Sequence, residues 1–285
     1  MAAITENRHP YLAYAERPAV IDARTAMVAL LEWIGLGLAW GGSAQGWLPW
    51  WATLMLGTLA MNLAFTVWHE GIHQTISPNR RLNDRIGRLG AIPVFIFYDR
   101  LTTHHLLHHK FTNEPGRDPD HWQIRGPLWS LIFRYFAGER ESRALCYAAD
   151  PEKGWSRRDH IQILASLTLL GALLIAAPTA TLWAIVLPRL VLCYLHPLYV
   201  NYLPHVGLPA GRYASVRMIE TGPVLSWFML HHNFHALHHA YPAIPWHRYE
   251  PAWAQLGADI ATRGVSTIRL SSCWRLLWPG RPERI

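Results

Sequence analysis

The sequence predicts an all-α, polytopic membrane protein with four transmembrane helices and a histidine-rich cap on one membrane face. Three observations support this fold class. The apolar residues, 51% of a 285-residue chain, collect in four long blocks. Basic, histidine-rich segments separate these blocks. Several histidines recur at i, i+3 and i+4, a spacing that places side chains on one face of a helix.

The first two apolar blocks predict a helical hairpin. Residues 26–42, interrupted by Glu32, are near the lower length limit for a spanning helix. Residues 47–68 are long enough to span and carry tryptophan at both ends, as is typical of the membrane interface. A Gly-Gly-Ser turn at 41–43 separates the blocks. The second block runs directly into His69.

A long polar segment, residues 69–160, follows the hairpin. Within it, the apolar stretch 89–97 is too short to cross a bilayer, so we predict a re-entrant or interfacial segment. The apolar and aromatic stretch 127–136 predicts a segment that lies on the membrane surface. This polar segment therefore forms most of the predicted cap.

The third and fourth spans are predicted at residues 161–177 and 181–202. Two prolines, Pro188 and Pro197, predict a kink in the fourth span. The pattern at 253–278 does not distinguish a helix from irregular structure. The prediction therefore has three parts: a cytoplasmic N-terminal segment 1–25, a membrane domain 26–253, and a cytoplasmic or interfacial tail 254–285.

Two charged residues interrupt the predicted spans. Glu32 lies in the first span and Arg189 in the fourth, each about ten residues from the outer turns at a rise of about 1.5 Å per residue. A charge inside a membrane usually has a partner. We therefore hypothesise that Glu32 and Arg189 form an ion pair.

The distribution of positive charge predicts the orientation. Of 26 Lys+Arg, three precede residue 26, fourteen lie in 69–160 and eight follow residue 205. By the positive-inside rule, both termini and the histidine clusters face the cytoplasm of a multi-pass inner-membrane protein. The net charge of +7 thus reflects topology, and no nucleic-acid-binding motif is present. The three cysteines show no paired spacing, so we expect no disulfide framework.

Nine histidines form the candidate metal centre. The pattern His-x-x-His-His occurs twice, a His-x-x-x-His pair precedes both copies, and one further histidine follows the fourth span. These residues exceed the four ligands of a structural zinc and suit two metal ions in one pocket. They are His69, His73, His105, His108, His109, His205, His235, His238 and His239.

The identity of the metal stays open on chemistry alone. Imidazole suits iron, zinc, copper and nickel. The Glu-x-x-His pairs of bundle-type di-iron sites are absent. His104, His231 and His232 adjoin the clusters outside the repeated spacing and are ambiguous. The remaining histidines are expected to be ordinary core or surface residues: His9, His121, His160, His196 and His247.

From about residue 68 to 253, the chain resembles the membrane fatty-acid desaturase and hydroxylase superfamily. Within it, the chain looks most similar to the beta-carotene hydroxylase branch of cyanobacterial type. The Pro-Trp and Asp-Pro-Asp motifs, however, also occur in acyl desaturases and carotenoid ketolases. Besides the histidine boxes, the motifs are NDRIGR at 83–88, DPDHW at 118–122, GPLW at 126–129, YLPH at 202–205, HHAYPAIPW at 238–246 and YEPA at 249–252.

The resemblance implies that the nine histidines bind two irons and that O₂ and electrons from an external donor drive the oxidation of unactivated C–H bonds. No catalytic residue beyond the ligands is predicted. Ligating histidines need an acceptor for their second nitrogen, and Asn201 lies one helical turn before His205. The candidates for a metal contact or for such an acceptor are Asn201, Glu70, Asp99, Asp118, Asp120 and Glu220.

The resemblance also implies a lipophilic substrate that enters from the bilayer. No Rossmann or flavin motif is present, so a ferredoxin or another reductase-linked carrier is expected to supply electrons. Three functions remain open: hydroxylation of a carotenoid ring, fatty-acyl desaturation or lipid hydroxylation, and metal transport. Basic residues that can dock an acidic carrier are Arg80, Arg81, Arg85, Arg88, Arg157 and Arg158.

Overall fold

The computed structural model describes residues 10–154 and 156–277, and their architecture is helical. The helices of the first half are α1 (Ala23–Ala44), α2 (Trp50–Ile72), α3 (Arg80–Ala91), α4 (Tyr98–Phe111), α5 (His121–Ile124), α6 (Leu131–Ala149) and α7 (Pro151–Gly154). The second half contains α8 (Arg157–Ala176), α9 (Pro178–His205), α10 (Pro223–Phe228), α11 (His235–Ala240) and α12 (Tyr249–Thr262). Two strands, β1 (Arg217–Glu220) and β2 (Ser266–Arg269), pair in parallel.

Within the described residues, four helices are long and apolar enough to cross a membrane, as predicted: α1, α2, α8 and α9. Their outward faces are apolar: Leu164 of α8 is 65% exposed and Leu38 of α1 is 60% exposed. An exposed apolar surface of this extent is typical of contact with lipid. These helices give the protein its membrane-embedded part.

Small residues allow the spans to pack closely. A Cβ placed on Gly57 of α2 would lie 2.5 Å from the carbonyl oxygen of Ala184 in α9. A Cβ on Gly35 of α1 would lie 2.7 Å from the Cβ of Ala60 in α2. Membrane helices commonly use small residues in this way, because lipid supplies no hydrophobic drive for helix association. α2 is thereby held between α1 and α9.

The prolines of α9 are accommodated without a break in the helix. The backbone takes π-type turns at Leu182–Val186 and at Pro197–Tyr202. Proline has no N–H for the i−4 carbonyl, so a locally wider turn lets the helix continue. The predicted kink is therefore a pair of π-type turns, and the second one brings His205 to the end of α9.

Outside the spans, the chain folds back over the ends of α2 and α9. Asp22 caps the start of α1 and its Oδ2 lies 2.6 Å from His247 Nε2, which ties the N-terminal part to the C-terminal part. The part of 253–278 that the structure describes, up to residue 277, is mixed: α12 is followed by β2 and a 3₁₀ segment at Leu270–Leu277. The β1–β2 pair was not predicted. The domain boundaries at 25 and 253 stay predictions.

The predicted ion pair between Glu32 and Arg189 is wrong. Glu32 is fully buried, its Oε2 lies against Gly90 of α3, and neither of its carboxylate oxygens has a hydrogen-bond partner among the described residues. Arg189 instead bonds to the carbonyl oxygen of Val94 and to Tyr135 and Cys193. Depth along a span can be counted from sequence, whereas the rotation of each helix about its axis is set by packing.

We expect Glu32→Met to stabilise the protein. Methionine has a similar volume and removes a buried carboxyl group whose lost hydration costs about 1–3 kcal/mol. The measurement is the thermal unfolding midpoint of the purified protein in detergent, which should rise. Leu30→Met, at a lipid-facing position of the same helix that is 53% exposed, is the matched control and should leave the midpoint unchanged. A lower midpoint for Glu32→Met would contradict the assignment.

Candidate metal centre

Four helix ends converge on one buried pocket. α2 brings His69 and, at its C-cap, His73. α4 carries the second histidine pattern, α9 ends at His205, and α11 carries the last pattern. Because these helices enter from different directions, protein lines the pocket on several sides. Seven of the nine candidate histidines are buried there, and the partly buried His73 and His109 lie at the edge of the pocket.

The first group of imidazoles contains His69, His73, His105 and His238, whose ligand nitrogens all lie within 4.8 Å of one another. The Nε2 atoms of His73 and His105 are 2.9 Å apart, and those of His69 and His238 are 3.1 Å apart. These residues come from three separate sequence motifs. The tertiary fold therefore builds this group from α2, α4 and α11 together.

The second group contains His108, His205, His235 and His239, again with ligand nitrogens within 4.8 Å of one another. The Nε2 atom of His235 is 3.0 Å from that of His205 and 3.1 Å from that of His239. All four residues are buried. The structure thus provides two adjacent groups of four, as expected for two metal ions in one pocket.

The ninth histidine, His109, lies between the groups. Its Nε2 atom is 2.9 Å from His238 Nε2 and 3.1 Å from His105 Nε2, both in the first group. Its ring stacks on that of His239, in the second group, with centroids 4.3 Å apart. His109 therefore contacts both groups and can complete the first one as a fifth ligand.

The spacing of these nitrogens fits metal ligation. At a metal–nitrogen distance of about 2.0–2.1 Å, neighbouring ligand atoms are about 2.9 Å apart at right angles and about 3.4 Å apart in a tetrahedron. The six Nε2–Nε2 contacts span 2.9–3.1 Å, nearer the right-angle value. An N–H···N hydrogen bond has a similar length. The buried Nε2 of His108, however, has no hydrogen-bond partner among the described residues, which fits an atom that faces a metal.

Acceptors and donors on the far side hold several of these rings. Such contacts fix the orientation and tautomer of a ligating histidine. Because a carbonyl can only accept, the contact with Ser215 O requires a proton on His205 Nδ1 and leaves Nε2 with its lone pair. In each contact the histidine atom is Nδ1. That of His108 lies 2.9 Å from Asp118 Oδ1, and that of His205 lies 2.7 Å from Ser215 O. That of His238 lies 3.0 Å from Tyr249 Oη, and that of His69 lies 3.4 Å from Glu70 Oε1.

Burial controls the protonation of the pocket outside the spans. Loss of hydration, followed by repulsion from neighbouring imidazoles, lowers the pKa of His105, His109 and His238 well below the usual range, and the pKa values of His235 and His239 respond in the same way. Burial lowers the pKa of His73 to about 3. Neutral imidazoles keep the lone pairs that a metal requires.

His108 differs because a carboxylate lies next to it. Burial lowers its pKa, but the carboxylates of Asp118 and, to a smaller extent, Asp120 more than offset that effect, so the pKa is raised above the ordinary value. Asp118 is 2% exposed and also accepts from the backbone N–H groups of Asp120 and Asn113, each at 2.8 Å. A proton on Nδ1 directed at Asp118 leaves Nε2 of His108 for the metal.

Four of the predicted residues lie near the histidine pocket, but they differ in what they contact. Asp118 and Glu70 contact histidines of the two groups, and their role in orienting metal ligands stays a prediction. Asp120 is one step removed: it lies 2.8 Å from His104 Nε2 and 3.8 Å from His108 Nδ1. Asn201 donates to Gln123 Oε1 at 3.0 Å, and its contact with a metal stays a prediction.

Two of the predicted acceptors are wrong. Asp99 lies 2.5 Å from Arg88 and also contacts Ser156, so it belongs to an ion-pair network at the start of α8. Glu220 ends β1, is exposed, and lies 3.7 Å from Arg269 on the neighbouring strand. The positions of Asp99 and Glu220 in the sequence do not decide where their side chains point.

The ambiguous histidines also have defined partners. His104 pairs with Asp120, His232 Nε2 lies 2.7 Å from Thr66 Oγ1, and His231 Nδ1 lies 3.1 Å from Ser226 Oγ. None of the three belongs to either group of four. Sequence reasoning missed Tyr249 and Ser215. The YEPA motif offered a signal for Tyr249, whereas Ser215 acts through its backbone carbonyl and offered none.

A cavity of about 330 Å³ adjoins the first histidine group. It reaches His105 and is walled by Phe65, Trp68 and Leu192. A second, apolar cavity of about 180 Å³ lies between α1, α8 and the turn after α3. Phe95 lines both cavities. The larger cavity therefore places apolar side chains of the spans α2 and α9 beside His105.

Comparison with known proteins finds relatives among desaturases and carotene ketolases. Residues 45–271 match the family model described as fatty acid desaturase. The chain is 27% identical over 194 residues to beta-carotene 4-ketolase 3 of Haematococcus lacustris. This match covers 64% of this chain and 55% of that protein. The chain is also 24% identical over 273 residues to sn-1 oleoyl-lipid 12-desaturase of Arthrospira platensis. That match covers 82% of this chain and 76% of the desaturase.

A shorter match is to omega-3 fatty acid desaturase fat-1 of Caenorhabditis elegans, with 36% identity over 87 residues. This match covers 30% of the chain and 21% of the nematode protein. The chain thus spans about a fifth of the nematode protein and 55% of the ketolase.

Proposed function

Because the chain belongs to the fatty acid desaturase family, we propose that this membrane oxygenase hydroxylates the end ring of a carotenoid. Family membership makes the chain an enzyme that acts by desaturase or oxygenase chemistry, which removes the metal-transport alternative. The observation that carries the proposal is the cavity beside His105, whose wall includes the apolar side chains of Phe65 and Leu192 from the spans α2 and α9. The relatives named as beta-carotene ketolases support a carotenoid as the substrate.

We assign the metal ligands from the two groups and the histidine between them. Two irons, when bound there, supply the redox chemistry with O₂ that an unactivated C–H bond requires. The first site takes His69, His73, His105, His109 and His238, and the second takes His108, His205, His235 and His239.

The chain's own residues contribute position and shielding. Asp118 and the Ser215 carbonyl hold the rings of His108 and His205 in one orientation. Phe65 and Trp68 form an apolar part of the cavity wall near His105. A substrate ring held against this wall has its C–H bonds beside the histidine pocket, which is the alignment that hydroxylation requires.

Electrons are expected from a ferredoxin. Arg80, Arg81 and Arg85 of α3 are exposed, as are Arg157 and Arg158 at the start of α8. A positive surface of this kind attracts an acidic iron–sulfur protein. Arg88 is not available for docking, because it pairs with Asp99 and Asp159. The cytoplasmic orientation of this surface is part of the proposal and rests on the positive-inside rule.

A second candidate function is desaturation or hydroxylation of an acyl lipid. The polar groups on the cavity wall, including Arg100 and Glu139, favour it, since an acyl substrate carries a polar head group. The relative named as an oleoyl-lipid desaturase supports it as well. The two candidates use the same histidine pocket and differ in the molecule that occupies the cavity.

The test is a product assay in bacteria that accumulate beta-carotene and co-express a ferredoxin and its reductase. We expect mono- and dihydroxylated carotene by liquid chromatography and mass spectrometry, and none from a His238→Ala strain. New unsaturated or hydroxylated acyl chains beside untouched carotene would replace the carotenoid proposal with the acyl one.

A further inference from the structure

Arg189 is a charged side chain in the interior of a membrane-spanning helix. Its Nε donates to the carbonyl oxygen of Val94 at 2.6 Å. Its Nη1 lies 2.8 Å from Cys193 Sγ and its Nη2 lies 3.2 Å from Tyr135 Oη. A guanidinium carries five N–H donors in a fixed fork. These three contacts therefore leave donor capacity on both terminal nitrogens.

Within residues 10–154 and 156–277, the structure shows no carboxylate at ion-pair distance from Arg189. Glu32, the predicted partner, lies against α3. Glu139, which lines the same cavity, pairs instead with Arg100 at 2.6 Å and with Arg143 at 3.6 Å. A desolvated cation without a counter-charge is costly, and an ionisable residue inside a span usually serves function.

The side chain of Arg189 lines the cavity that reaches the histidine pocket. Seven residues of helix separate Arg189 from His196, a rise of about 10 Å. The ring of His196 lies 5.4 Å from that of Phe65, which lies 5.3 Å from that of His69. Arg189 therefore lies on the cavity wall, one to two helical turns farther along α9 from the histidine pocket than His196.

We propose that Arg189 binds an oxygen acceptor of the substrate, so that the cavity selects an oxygen-bearing lipid over a pure hydrocarbon. The acceptor is a keto oxygen on a carotenoid or a carboxyl oxygen on an acyl chain, which share the same recognition chemistry. The inference rests on the proposed function in one respect, since it takes the cavity to be the substrate site. It adds the chemical class that this site recognises.

Matched ligand pairs test the inference by binding to the purified protein in detergent, measured as quenching of tryptophan fluorescence. Canthaxanthin and beta-carotene have the same polyene and differ in two keto groups. Oleic acid and 9-octadecene differ in the carboxyl group. We expect the wild-type protein to bind the oxygenated member of at least one pair about tenfold more tightly or better, as a hydrogen bond to a charged group predicts.

Variants separate binding from a structural role. Arg189→Gln should reduce this preference to less than about threefold, while Arg189→Lys, which keeps the charge, should retain most of it. A role limited to holding the Val94 turn would lower the thermal midpoint and affect both members of a pair equally. The wild-type comparison itself needs no variant, so it remains decisive if Arg189→Gln does not fold. Equal affinity within both pairs would overturn the inference.

The outcomes also separate the inference from the proposed function. Preference for oleic acid with no carotenoid binding would support the inference and end the carotenoid proposal. In the opposite outcome, the protein hydroxylates beta-carotene, binds it as tightly as canthaxanthin and binds oleic acid no more tightly than 9-octadecene. This result would support the carotenoid proposal and end the inference.

Discussion

Replacing His109 with alanine is expected to lower turnover by more than about a hundredfold and to reduce the bound metal. Loss of a residue that merely supports a metal ligand already costs about 10–100-fold, and His109 contributes a nitrogen to the pocket itself. Its Nε2 atom lies 2.9 Å from His238 Nε2, and its ring stacks on His239. The measurements are product formation and the iron content per chain by mass spectrometry.

His160→Ala is the matched control for this variant. His160 is an exposed histidine in the first turn of α8, and its Nδ1 lies 2.8 Å from Ser156 O. The control should keep both its activity and its metal. We expect His108→Ala, His238→Ala and His239→Ala to behave like His109→Ala. Full activity in any two of these four variants would be incompatible with a shared two-metal pocket. The residue His9, another expected non-ligand, lies outside the described residues.

Asp118→Asn is expected to lower metal affinity by about 10–100-fold without removing any ligand. The two carboxylate oxygens of Asp118 accept from His108 Nδ1 and from two backbone N–H groups. An amide has one accepting oxygen, so its NH₂ group would face a buried donor on one side. An unsatisfied buried group of this kind costs about 1–3 kcal/mol. The measurement is the competition of a chelator for the bound iron.

Glu220→Gln is the control for that experiment. Sequence reasoning grouped Glu220 with Asp118, but the structure places it at the exposed end of β1, where it contacts Arg269. We expect wild-type metal affinity for this variant. Equal losses for the two variants, or no loss for Asp118→Asn, would show that the contact between Asp118 and His108 does not support the metal centre.

The sequence by itself determined the membrane architecture. The lengths of the apolar blocks predict the four spans, because a bilayer of fixed thickness requires about 20 apolar residues per helix. The spacing of the histidines identified the residues that meet in one pocket, because i, i+3 and i+4 share a helix face. The small β1–β2 pair escaped prediction, since four-residue strands carry little pattern and form through contacts distant in sequence.

Only the tertiary structure decided how the histidines divide. Histidines of one sequence motif belong to different groups. His105 belongs to the first group and His108 to the second. In the same way, His238 belongs to the first group and His239 to the second. The division depends on the directions from which α2, α4, α9 and α11 enter the pocket. Sequence spacing describes one helix at a time, so it cannot contain this information.

The same reason explains the incorrect charge assignments. Glu32 and Arg189 have matching depths but face different neighbours, and Asp118 reaches His108 whereas Asp99 reaches Arg88. The depth of a residue along a span and the charge of its side chain can both be read from the sequence. The rotation of each helix and the course of each loop arise from packing among residues far apart in sequence, and that packing decides which buried polar groups find partners.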